Sequence, residues 1–392
     1  MSLGVRRVSG GTPGENGRRL DTRVVHAGLD PDPSYGSVIP PIHQTSTFRQ
    51  PAPGEFTEDY DYARSANPTR AALEGALGQL EAGHASAFAS GMAATHAVIS
   101  AICSAGDHLV LPTDLYGGTY RLVDKVLSGF GLTYDLVDQR DPDAVRAAIR
   151  ERTRLVWVET PTNPLLNVID VPAIVDVAGE AAVVVDSTFA TPIVQRPLEL
   201  GATAVVHSTT KYLGGHSDVV GGAAIAADRE LHERIRFLQN AVGAVPGPLD
   251  CFLVHRGLRT LALRVARHTE NGRAVSAFLS SAPGVEEVRW PGFGGMVSFS
   301  HPDAVGLSAR TELFTLAESL GGVESLIEVP QAMTHQSVEG SDAAVPPDLV
   351  RLSCGIEAAE DLVADLERAL AGRAAQTLTG SEPGRRRDPQ DR

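Results

Sequence analysis

The chain has 392 residues and a formal net charge of −14, with 43% hydrophobic and 21% charged residues. This composition is ordinary for a globular protein long enough for two domains, and its basic run, Arg385–Arg387, is too short to predict binding to nucleic acid or an anionic membrane. Because the sequence contains neither a membrane-length apolar run nor the apolar core of a signal peptide, we expect a cytoplasmic protein that acts on small molecules.

The first two thirds of the chain predict a sheet. Residues 1–19 are rich in Gly, Arg and Pro and are predicted to be mobile. From Asn67 onwards, helix-length segments alternate with short apolar runs that are typical of strands. These runs are Asp107–Leu111, Leu155–Val158, Val183–Val185, Ala204–Val206 and Gly222–Ala226. Strands separated by helix-length segments predict a parallel sheet that is covered on both faces.

The last third of the chain has a different pattern. The spacing of its apolar residues predicts one long helix over Leu253–Leu279, which leads into a smaller α+β domain. Within that domain, Gly295–Ser300 and Leu349–Ser353 are the predicted strands. The tail at residues 373–392 is predicted to be disordered.

The cysteines predict neither cross-links nor a metal site. Cys103, Cys251 and Cys354 are odd in number and widely spaced, which fits neither a disulfide framework nor a zinc cluster. We therefore interpret all three as buried thiols and predict no bound metal.

The basic residues are divided unevenly between arginine and lysine. Of the 34 basic residues, only two, Lys125 and Lys211, are lysines. A lysine amine can become neutral and act as a nucleophile, whereas an arginine stays charged, so a lysine retained in an arginine-rich chain requires a reason. Lys125 lies in an amphipathic pattern and is predicted to be exposed. Lys211 lies among hydroxyls and glycines within His207–Gly222 and is the candidate catalytic lysine.

Two further groups are predicted to meet Lys211 at the carboxyl edge of the sheet. Asp186 directly follows the apolar run Val183–Val185, and it either caps the next helix or faces the crevice. Ser90 and Gly91 stand at a predicted helix start, where free backbone N–H groups can bind a phosphate. A carboxylate, a lysine, hydroxyls and a helix N-terminus are together the groups that pyridoxal phosphate requires.

The segment His207–Gly222 resembles the signature of the trans-sulfuration family of pyridoxal-phosphate enzymes, which act in cystathionine, cysteine and methionine metabolism. The resemblance extends over Leu20–Leu370 and is strongest to bacterial cystathionine γ-synthases and γ-lyases. Further segments that match the family in order are Tyr62–Thr69, Asp114–Tyr120, Glu159–Pro164, Ser319–Leu326 and Arg351–Ser353.

The resemblance implies an α/β fold of the aspartate aminotransferase type, known as fold type I. It places an N-terminal arm at residues 1–65, a pyridoxal-phosphate-binding large domain with a mostly parallel sheet at 66–252, and a smaller α+β domain at 253–372. It also implies a homotetramer, a dimer of dimers, in which the arm reaches the active site of the neighbouring subunit.

The resemblance also implies roles for individual residues. Lys211 would hold the cofactor aldehyde carbon and move protons, Asp186 would pair with the pyridine nitrogen, and Tyr116 would stack on the ring. The other cofactor contacts would be Asn163 at the phenolic oxygen, Ser90, Gly91, Met92, Ser208 and Thr210 at the phosphate, and Tyr62 and Arg64 from the neighbouring subunit. The substrate contacts would be Arg351 at the α-carboxylate, with Asp61, Arg121, Glu324 and Ser325 at the distal end and the ammonium group.

The resemblance leaves the reaction open between replacement and elimination at Cγ of an amino-acid substrate. Replacement would form cystathionine from an O-acylhomoserine and cysteine, whereas elimination would convert cystathionine to cysteine, 2-oxobutanoate and ammonia. Glu324 resembles the γ-synthase and γ-lyase branch, since β-lyases of the family tend to carry an aromatic residue at this position.

Other members of the family are kept as alternatives. A methionine γ-lyase is one, although Gly118 stands where those enzymes tend to have a cysteine, and an O-acylhomoserine sulfhydrylase is another. The join Trp290–Gly295 lacks a helical insertion that most relatives carry, which leaves room for a specialised carbon–sulfur lyase of a secondary pathway.

An inactive scaffold with the same fold is the alternative from a different class. A scaffold would have no use for Lys211, Asp186, Tyr116 and Arg351 together, and a buried charge without its partner destabilises a protein by several kcal/mol. We therefore predict an enzyme.

Overall fold

The computed structural model describes residues 17–30, 32, 34–56, 60–334 and 345–372. Its helices are α1 (Leu20–His26), α2 (Pro68–Glu81), α3 (Gly91–Ile102), α4 (Gly117–Arg121, continued by a π-helical turn over Leu122–Leu127), α5 (Pro142–Ala148), α6 (Val171–Val177), α7 (Thr191–Val194), α8 (Arg229–Val242), α9 (Pro248–Leu258), α10 (Leu261–Leu279), α11 (Ala304–Ser308) and α12 (Ala359–Leu370). Its strands are β1 (His84–Phe88), β2 (His108–Pro112), β3 (Thr133–Val137), β4 (Thr153–Glu159), β5 (Ala182–Asp186), β6 (Ala204–Ser208), β7 (Gly222–Ala226), β8 (Glu286–Arg289), β9 (Met296–Ser300), β10 (Thr315–Leu316), β11 (Leu326–Glu328) and β12 (Leu349–Ser353). Of the segments predicted to be mobile or disordered, residues 1–16 and 373–392 lie outside the described residues.

Strands β1 to β7 form one sheet in the order β1-β7-β6-β5-β4-β2-β3. The neighbours from β3 to β6 pair in parallel, whereas β7 lies antiparallel to both β1 and β6. All five apolar runs predicted for this region are strands, and the prediction of a mostly parallel sheet is confirmed. The edge strands β1 and β3 are additions to the predicted set.

The apolar runs form strands because both faces of this sheet are buried. Along β4, Leu155 and Trp157 pack in one core, together with residues of α3 and α8. The alternate residues Val156 and Val158 pack in a second core, together with residues of α5 and α6. A strand that is covered on both faces has to be apolar at successive positions, which is the pattern that the sequence shows.

The prediction of a single helix over Leu253–Leu279 is wrong, because α9 ends at Leu258 and α10 begins at Leu261. The Arg264 side chain lies across this break and donates from Nη2 to Gly257 O at 2.7 Å and from Nη1 to Tyr212 O at 2.6 Å. Gly257 packs so closely that a Cβ there would lie 2.2 Å from Gly214 O. The carbonyl of Gly257 thus accepts from Thr260 N in a tight turn as well as from Arg264, and the Arg264 side chain anchors the break against Tyr212, which follows Lys211.

Strands β8 to β12 form a second sheet in the order β10-β11-β12-β9-β8, which is antiparallel except between β10 and β11. Apolar residues of α10 and α12 cover it, among them Val275 and Leu366. Both strands predicted for this region are present as β9 and β12, and the prediction of a smaller α+β unit is confirmed. The join Trp290–Gly295 connects β8 directly to β9, and Gly294 N donates to Thr269 Oγ1 of α10 at 2.9 Å.

Candidate active site

A pocket of about 260 Å³ lies where the carboxyl edge of the seven-stranded sheet meets the second sheet. In open α/β sheets this edge is the usual ligand site, because loops and helix N-termini converge there. The pocket brings together ten residues that the sequence predicts for the site: Ser90, Gly91, Met92, Tyr116, Asn163, Asp186, Ser208, Thr210, Lys211 and Arg351.

One end of the pocket is formed by the first turn of α3 and the end of β6. Ser90 is the N-cap of α3, and its hydroxyl accepts a hydrogen bond from Ala93 N at 3.1 Å. A Cβ at Gly91 would lie 2.9 Å from Ser208 Cβ, so glycine is needed for α3 to approach β6 this closely. The first N–H groups of a helix have no partner within it and favour an anion. With the hydroxyls of Ser208 and Thr210 in the same wall, this end is suited to a phosphate.

Asp186 is the last residue of β5 and lies in the pocket wall. Its Oδ1 accepts hydrogen bonds from Thr188 N at 3.0 Å and from Thr188 Oγ1 at 2.6 Å. It does not cap the next helix, since α7 begins only at Thr191. Burial raises the pKa of this carboxyl, and within the described part of the chain no basic side chain forms an ion pair with it. The carboxylate is therefore available to a cationic group inside the pocket.

The Lys211 amine lies in the same wall, and its Nζ donates to Ser319 Oγ at 2.9 Å. Burial and, to a smaller extent, the nearby charge of Arg351 lower the pKa of this amine to about 8. Ser319 has a φ of 107°, a strained value for a residue other than glycine, and such strain collects at functional sites. Near pH 8 the amine exchanges between its charged and neutral forms.

Arg351 extends from β12 and is only 3% exposed. Its Nη1 donates to Asn163 Oδ1 at 2.6 Å, its Nη2 donates to Ser319 O at 3.1 Å, and Nη2 lies 2.9 Å from Glu328 Oε2. The Arg351 Nε is buried and has no hydrogen-bond partner among the described residues. The guanidinium is thus fixed in position and can still donate to an anion.

Tyr116 precedes α4, and its side chain is 37% exposed in the pocket wall. Its backbone N donates to Glu159 Oε2 at 2.9 Å, which ties the start of α4 to the end of β4. Burial raises the pKa of the Tyr116 hydroxyl, so the phenol stays neutral at physiological pH.

These residues fit pyridoxal phosphate by the chemistry of their groups. The helix start with its hydroxyls suits the phosphate, the Asp186 carboxylate suits a protonated pyridine nitrogen, and the Lys211 amine suits the aldehyde. Because Gly91 has no Cβ, α3 packs closely against Ser208 at the phosphate end.

Four residues that the sequence predicts for the site lie outside the pocket of their own chain: Asp61, Tyr62, Arg64 and Arg121. Tyr62 is 46% exposed, and Arg64 is exposed, with its Nη1 donating to Asn240 O at 2.9 Å. The Arg64 guanidinium also lies 5.8 Å from the centre of the Tyr62 ring. Both side chains are therefore on the outer surface of this chain, and their contact with a cofactor remains a prediction.

The predicted substrate residues Glu324 and Ser325 also lie outside the pocket lining. Ser325 is fully buried, donates from Oγ to Glu357 Oε2 at 2.9 Å and accepts from Gly355 N at 2.8 Å. Glu324 accepts a hydrogen bond from the Ser217 hydroxyl. In this structure Ser325 stabilises a turn of the small sheet, and the substrate roles of both residues remain predictions.

The structure adds residues that the sequence reasoning did not assign to the site. Glu159, Thr188 and Ser319 line the pocket, and buried Glu328 lies next to Arg351. Glu159 and Ser319 are the first residues of two segments that match the family, Glu159–Pro164 and Ser319–Leu326. The sequence therefore indicated these segments, but it did not indicate which side chains the two residues contact. No sequence pattern indicated that Glu328 lies at the site, because its position next to Arg351 depends on the pairing of β11 with β12.

Comparison with known proteins decides the family. The sequence model described as "Cys/Met metabolism PLP-dependent enzyme" matches residues 21–371 of the chain. The chain belongs to this family.

Similar relatives of the chain carry more than one reaction in their names. A protein of Mycobacterium tuberculosis named cystathionine gamma-synthase is 54% identical over 372 residues, which cover 89% of this chain and 96% of the relative. A protein of Lactococcus lactis named cystathionine beta-lyase is 47% identical over 376 residues, covering 90% and 98%. The solved structure of cystathionine gamma-lyase from Lactobacillus plantarum, complexed with L-serine, has a TM-score of 0.87 and 42% identity and covers 90% and 99%.

As a member of the Cys/Met metabolism family, the chain is an enzyme that depends on pyridoxal phosphate. The predictions of the family, the α/β fold, the cofactor and an enzyme instead of a scaffold are confirmed. None of the helices in the described ranges is long and apolar enough to cross a membrane.

Proposed function

We propose that this enzyme is a cystathionine γ-synthase, which joins an O-acylhomoserine and cysteine to form cystathionine. The observation that carries the proposal is the buried Lys211 amine, with a pKa of about 8, in the same pocket as the Arg351 guanidinium. The identity to the mycobacterial relative favours replacement, and γ-elimination of cystathionine is the second candidate because the Lactobacillus structure is named for it.

Arg351 is the group that binds the α-carboxylate of the substrate. A guanidinium binds a carboxylate through charge-assisted hydrogen bonds, and Arg351 offers Nε for this purpose while the contacts of its Nη atoms with Asn163 and Ser319 hold it in one orientation. The substrate Cα is thereby placed close to Lys211, whose Nζ is bonded to the same Ser319.

Lys211 is the group that takes up and returns protons. Bound pyridoxal phosphate withdraws electrons from the substrate Cα, which acidifies the Cα proton and then a Cβ proton. A general base works best when its pKa lies near the operating pH, and a pKa of about 8 meets this condition where an exposed lysine at 10.5 does not. Ser319 Oγ orients the amine, and the phosphate end around Gly91 holds the cofactor still during these transfers.

The test is a product analysis of the cofactor-loaded enzyme. O-succinylhomoserine or O-acetylhomoserine is supplied with cysteine in one reaction, cystathionine alone in a second, and methionine alone in a third, and the products are separated by mass. Faster formation of cystathionine from an ester than breakdown of cystathionine supports the γ-synthase.

The elimination products identify the alternatives. Cysteine with 2-oxobutanoate identifies a γ-lyase, homocysteine with pyruvate identifies a β-lyase, and methanethiol from methionine identifies a methionine γ-lyase. In a fourth reaction sulfide is supplied in place of cysteine, and a faster reaction of the ester with sulfide identifies a sulfhydrylase. Failure of all these substrates overturns the proposal and favours a specialised carbon–sulfur lyase.

We further propose that the enzyme works as a homotetramer with shared active sites, in which residues 1–65 form the arm between subunits. Tyr62 and Arg64 are exposed on the chain surface, as are the apolar side chains of Val38 on the arm and Phe237 on α8, at 82% and 70%. On the arm such side chains are concentrated, because Tyr35, Ile39 and Ile42 are exposed close to Val38, and a concentration of exposed apolar side chains favours a protein interface. A large domain at residues 66–252 and a small domain at 253–372 are proposed as its other units.

Subunit complementation tests the shared site. Lys211→Ala and Arg64→Ala are each expected to be inactive, and light scattering measures their assembly. When the two variants are dissociated and reassembled together, a mixed dimer has one site without either defect, so about a quarter of the wild-type activity should return. No recovery in reassembled tetramers contradicts the shared site.

We propose the cytoplasm as the compartment of the enzyme. Cys103, Cys251 and Cys354 are all unpaired and buried, which fits a reducing environment.

A further inference from the structure

The carboxylate of Glu159 makes contacts that the proposed function has not used. Glu159 is the last residue of β4, is 4% exposed and lies in the pocket wall. Its Oε2 accepts a hydrogen bond from Tyr116 N at 2.9 Å, and its Oε1 accepts one from Asn163 N at 2.8 Å. One side chain therefore holds the backbone of two pocket residues that belong to different segments.

The two residues held by Glu159 form different parts of the pocket. Tyr116 begins α4 and presents its ring, whereas Asn163 lies in the loop after β4. Asn163 in turn accepts a hydrogen bond at Oδ1 from Arg351 Nη1 at 2.6 Å. A continuous chain of hydrogen bonds thus connects Glu159 to the Arg351 guanidinium, and networks of this kind are rigid when every member is bonded.

The position of Glu159 next to Asp186 explains why it needs two N–H donors. The two residues are directly paired in the register of β4 and β5, so two carboxyl groups stand side by side at the edge of the sheet. Among the described residues, Glu159 has no ion pair, and the two backbone donors are its stabilising partners. Hydrogen bonds to a buried carboxylate favour its charged form, whereas burial and the neighbouring Asp186 oppose it.

We propose that Glu159 is a positioning residue that holds the Tyr116 ring and, through Asn163, the Arg351 guanidinium in their places around the cofactor. It touches neither substrate nor reacting atoms in this role. Its loss therefore changes how the cofactor is held and how fast the bound substrate reacts. The inference rests on the proposed function only where kcat and KM are measured, because these need the right amino-acid substrate.

The test compares Glu159→Gln with Glu74→Gln. Glu74 of α2 is the control, because it is a half-buried carboxylate that accepts a backbone N–H, from Ala87 at 2.9 Å, and a side-chain N–H, from Gln239 at 3.1 Å; unlike Glu159 it also lies 3.6 Å from the Arg70 guanidinium. It lies outside the pocket lining. Glutamine keeps the size of the side chain but replaces one acceptor oxygen with a donor, so at position 159 one of the two N–H groups loses its partner. At Glu74 both N–H groups bond to Oε1, so the amide can keep both bonds and the substitution removes the charge that faces Arg70.

Four quantities are measured for both variants and the wild type: the melting temperature, the dissociation constant of pyridoxal phosphate, the circular dichroism of the cofactor's visible band, and the kcat and KM of the amino-acid substrate. We expect both variants to lower the melting temperature. We expect Glu159→Gln alone to alter the dichroism, to weaken cofactor binding by about tenfold and to lower kcat/KM by about tenfold to a hundredfold.

Several results overturn the inference. If Glu159→Gln matches Glu74→Gln in dichroism, cofactor binding and kcat/KM, Glu159 serves stability alone. If Glu159→Gln does not fold, Glu159→Asp takes its place: it keeps the charge but is too short to reach both N–H groups, and wild-type dichroism and kinetics in that variant refute the positioning role. If the wild type converts none of the substrates, the proposed function fails, while cofactor binding and dichroism still decide the role of Glu159.

Discussion

Replacing Lys211 by methionine should stabilise the cofactor-free protein at neutral pH. Methionine has a stem of similar length and no charge, whereas burial lowers the pKa of the Lys211 amine from 10.5 to about 8. Because the unfolded chain then binds this proton more tightly than the folded chain, protonation of Lys211 favours unfolding. The difference between the two pKa values corresponds to about 3 kcal/mol, at about 1.4 kcal/mol for each tenfold change in an equilibrium constant.

The pH dependence of this effect separates it from a packing effect. The destabilisation by Lys211 is fully present below pH 8 and disappears as the pH rises from about 8 to 10.5. Urea unfolding should therefore show Lys211→Met to be more stable than the wild type by about 3 kcal/mol at pH 7 and by less than about 1 kcal/mol at pH 10.

Lys125→Met is the matched control for the substitution itself. Lys125 is exposed on the π-helical turn after α4, and its Nζ lies 2.7 Å from Asp124 Oδ2. Lys125→Met should therefore show about the same difference in the free energy of unfolding between pH 7 and pH 10 as the wild type. A stabilisation by Lys211→Met that is the same at pH 7 and pH 10 would refute the reasoning, because it would come from packing and not from the proton.

Three other predictions follow from the geometry. Arg351→Gln should raise the KM of the amino-acid substrate by about tenfold to a hundredfold, since a charge-assisted bond to the carboxylate is lost, and an unchanged KM in steady-state kinetics contradicts the carboxylate contact. Gly91→Ala should weaken pyridoxal phosphate binding by at least about tenfold in equilibrium dialysis, because its Cβ would meet Ser208 Cβ at 2.9 Å and push α3 from β6; wild-type binding contradicts this. Burial raises the pKa of the Cys103 and Cys251 thiols to about 12, so both should react with a disulfide reagent only after unfolding in urea, and rapid labelling of the native enzyme argues against their burial.

The strands that the sequence predicts are those whose burial leaves a local pattern. β12 at Leu349–Ser353 has the predicted bounds, because its residues are buried on both sides and mostly β-branched or apolar. β1, with the sequence His-Ala-Ser-Ala-Phe, has small residues in place of β-branched ones, and it becomes a strand through its pairing with β7. The break between α9 and α10 was invisible for a similar reason, since it depends on the contact of Arg264 with Tyr212, which is distant in sequence.

The site also contains residues that the sequence predicts and residues that it does not. Lys211, Asp186 and the Ser90 helix start could be predicted because each is an unusual residue at the end of a predicted strand or the start of a helix. The contact of Glu159 with Tyr116 and that of Glu328 with Arg351 could not, because they depend on the pairing of β4 with β2 and of β11 with β12, strands that are separate in sequence. The predicted reach of the arm into a neighbouring subunit depends on contacts between chains, which the complementation experiment tests.

The connection between β6 and β7 carries Lys211 and is closed at its base. Thr210 Oγ1 donates to Gly221 O at 3.2 Å and accepts from Gly221 N at 3.0 Å, and the two antiparallel strands that continue from this point lie inside the sheet, between β1 and β5. Separation of Thr210 from Gly221 would require β6 and β7 to part within the sheet, so the amide hydrogens of these two residues should exchange slowly. The backbone that carries Lys211 is therefore anchored at the centre of the seven-stranded sheet, whereas Arg351 reaches the same pocket from the second sheet.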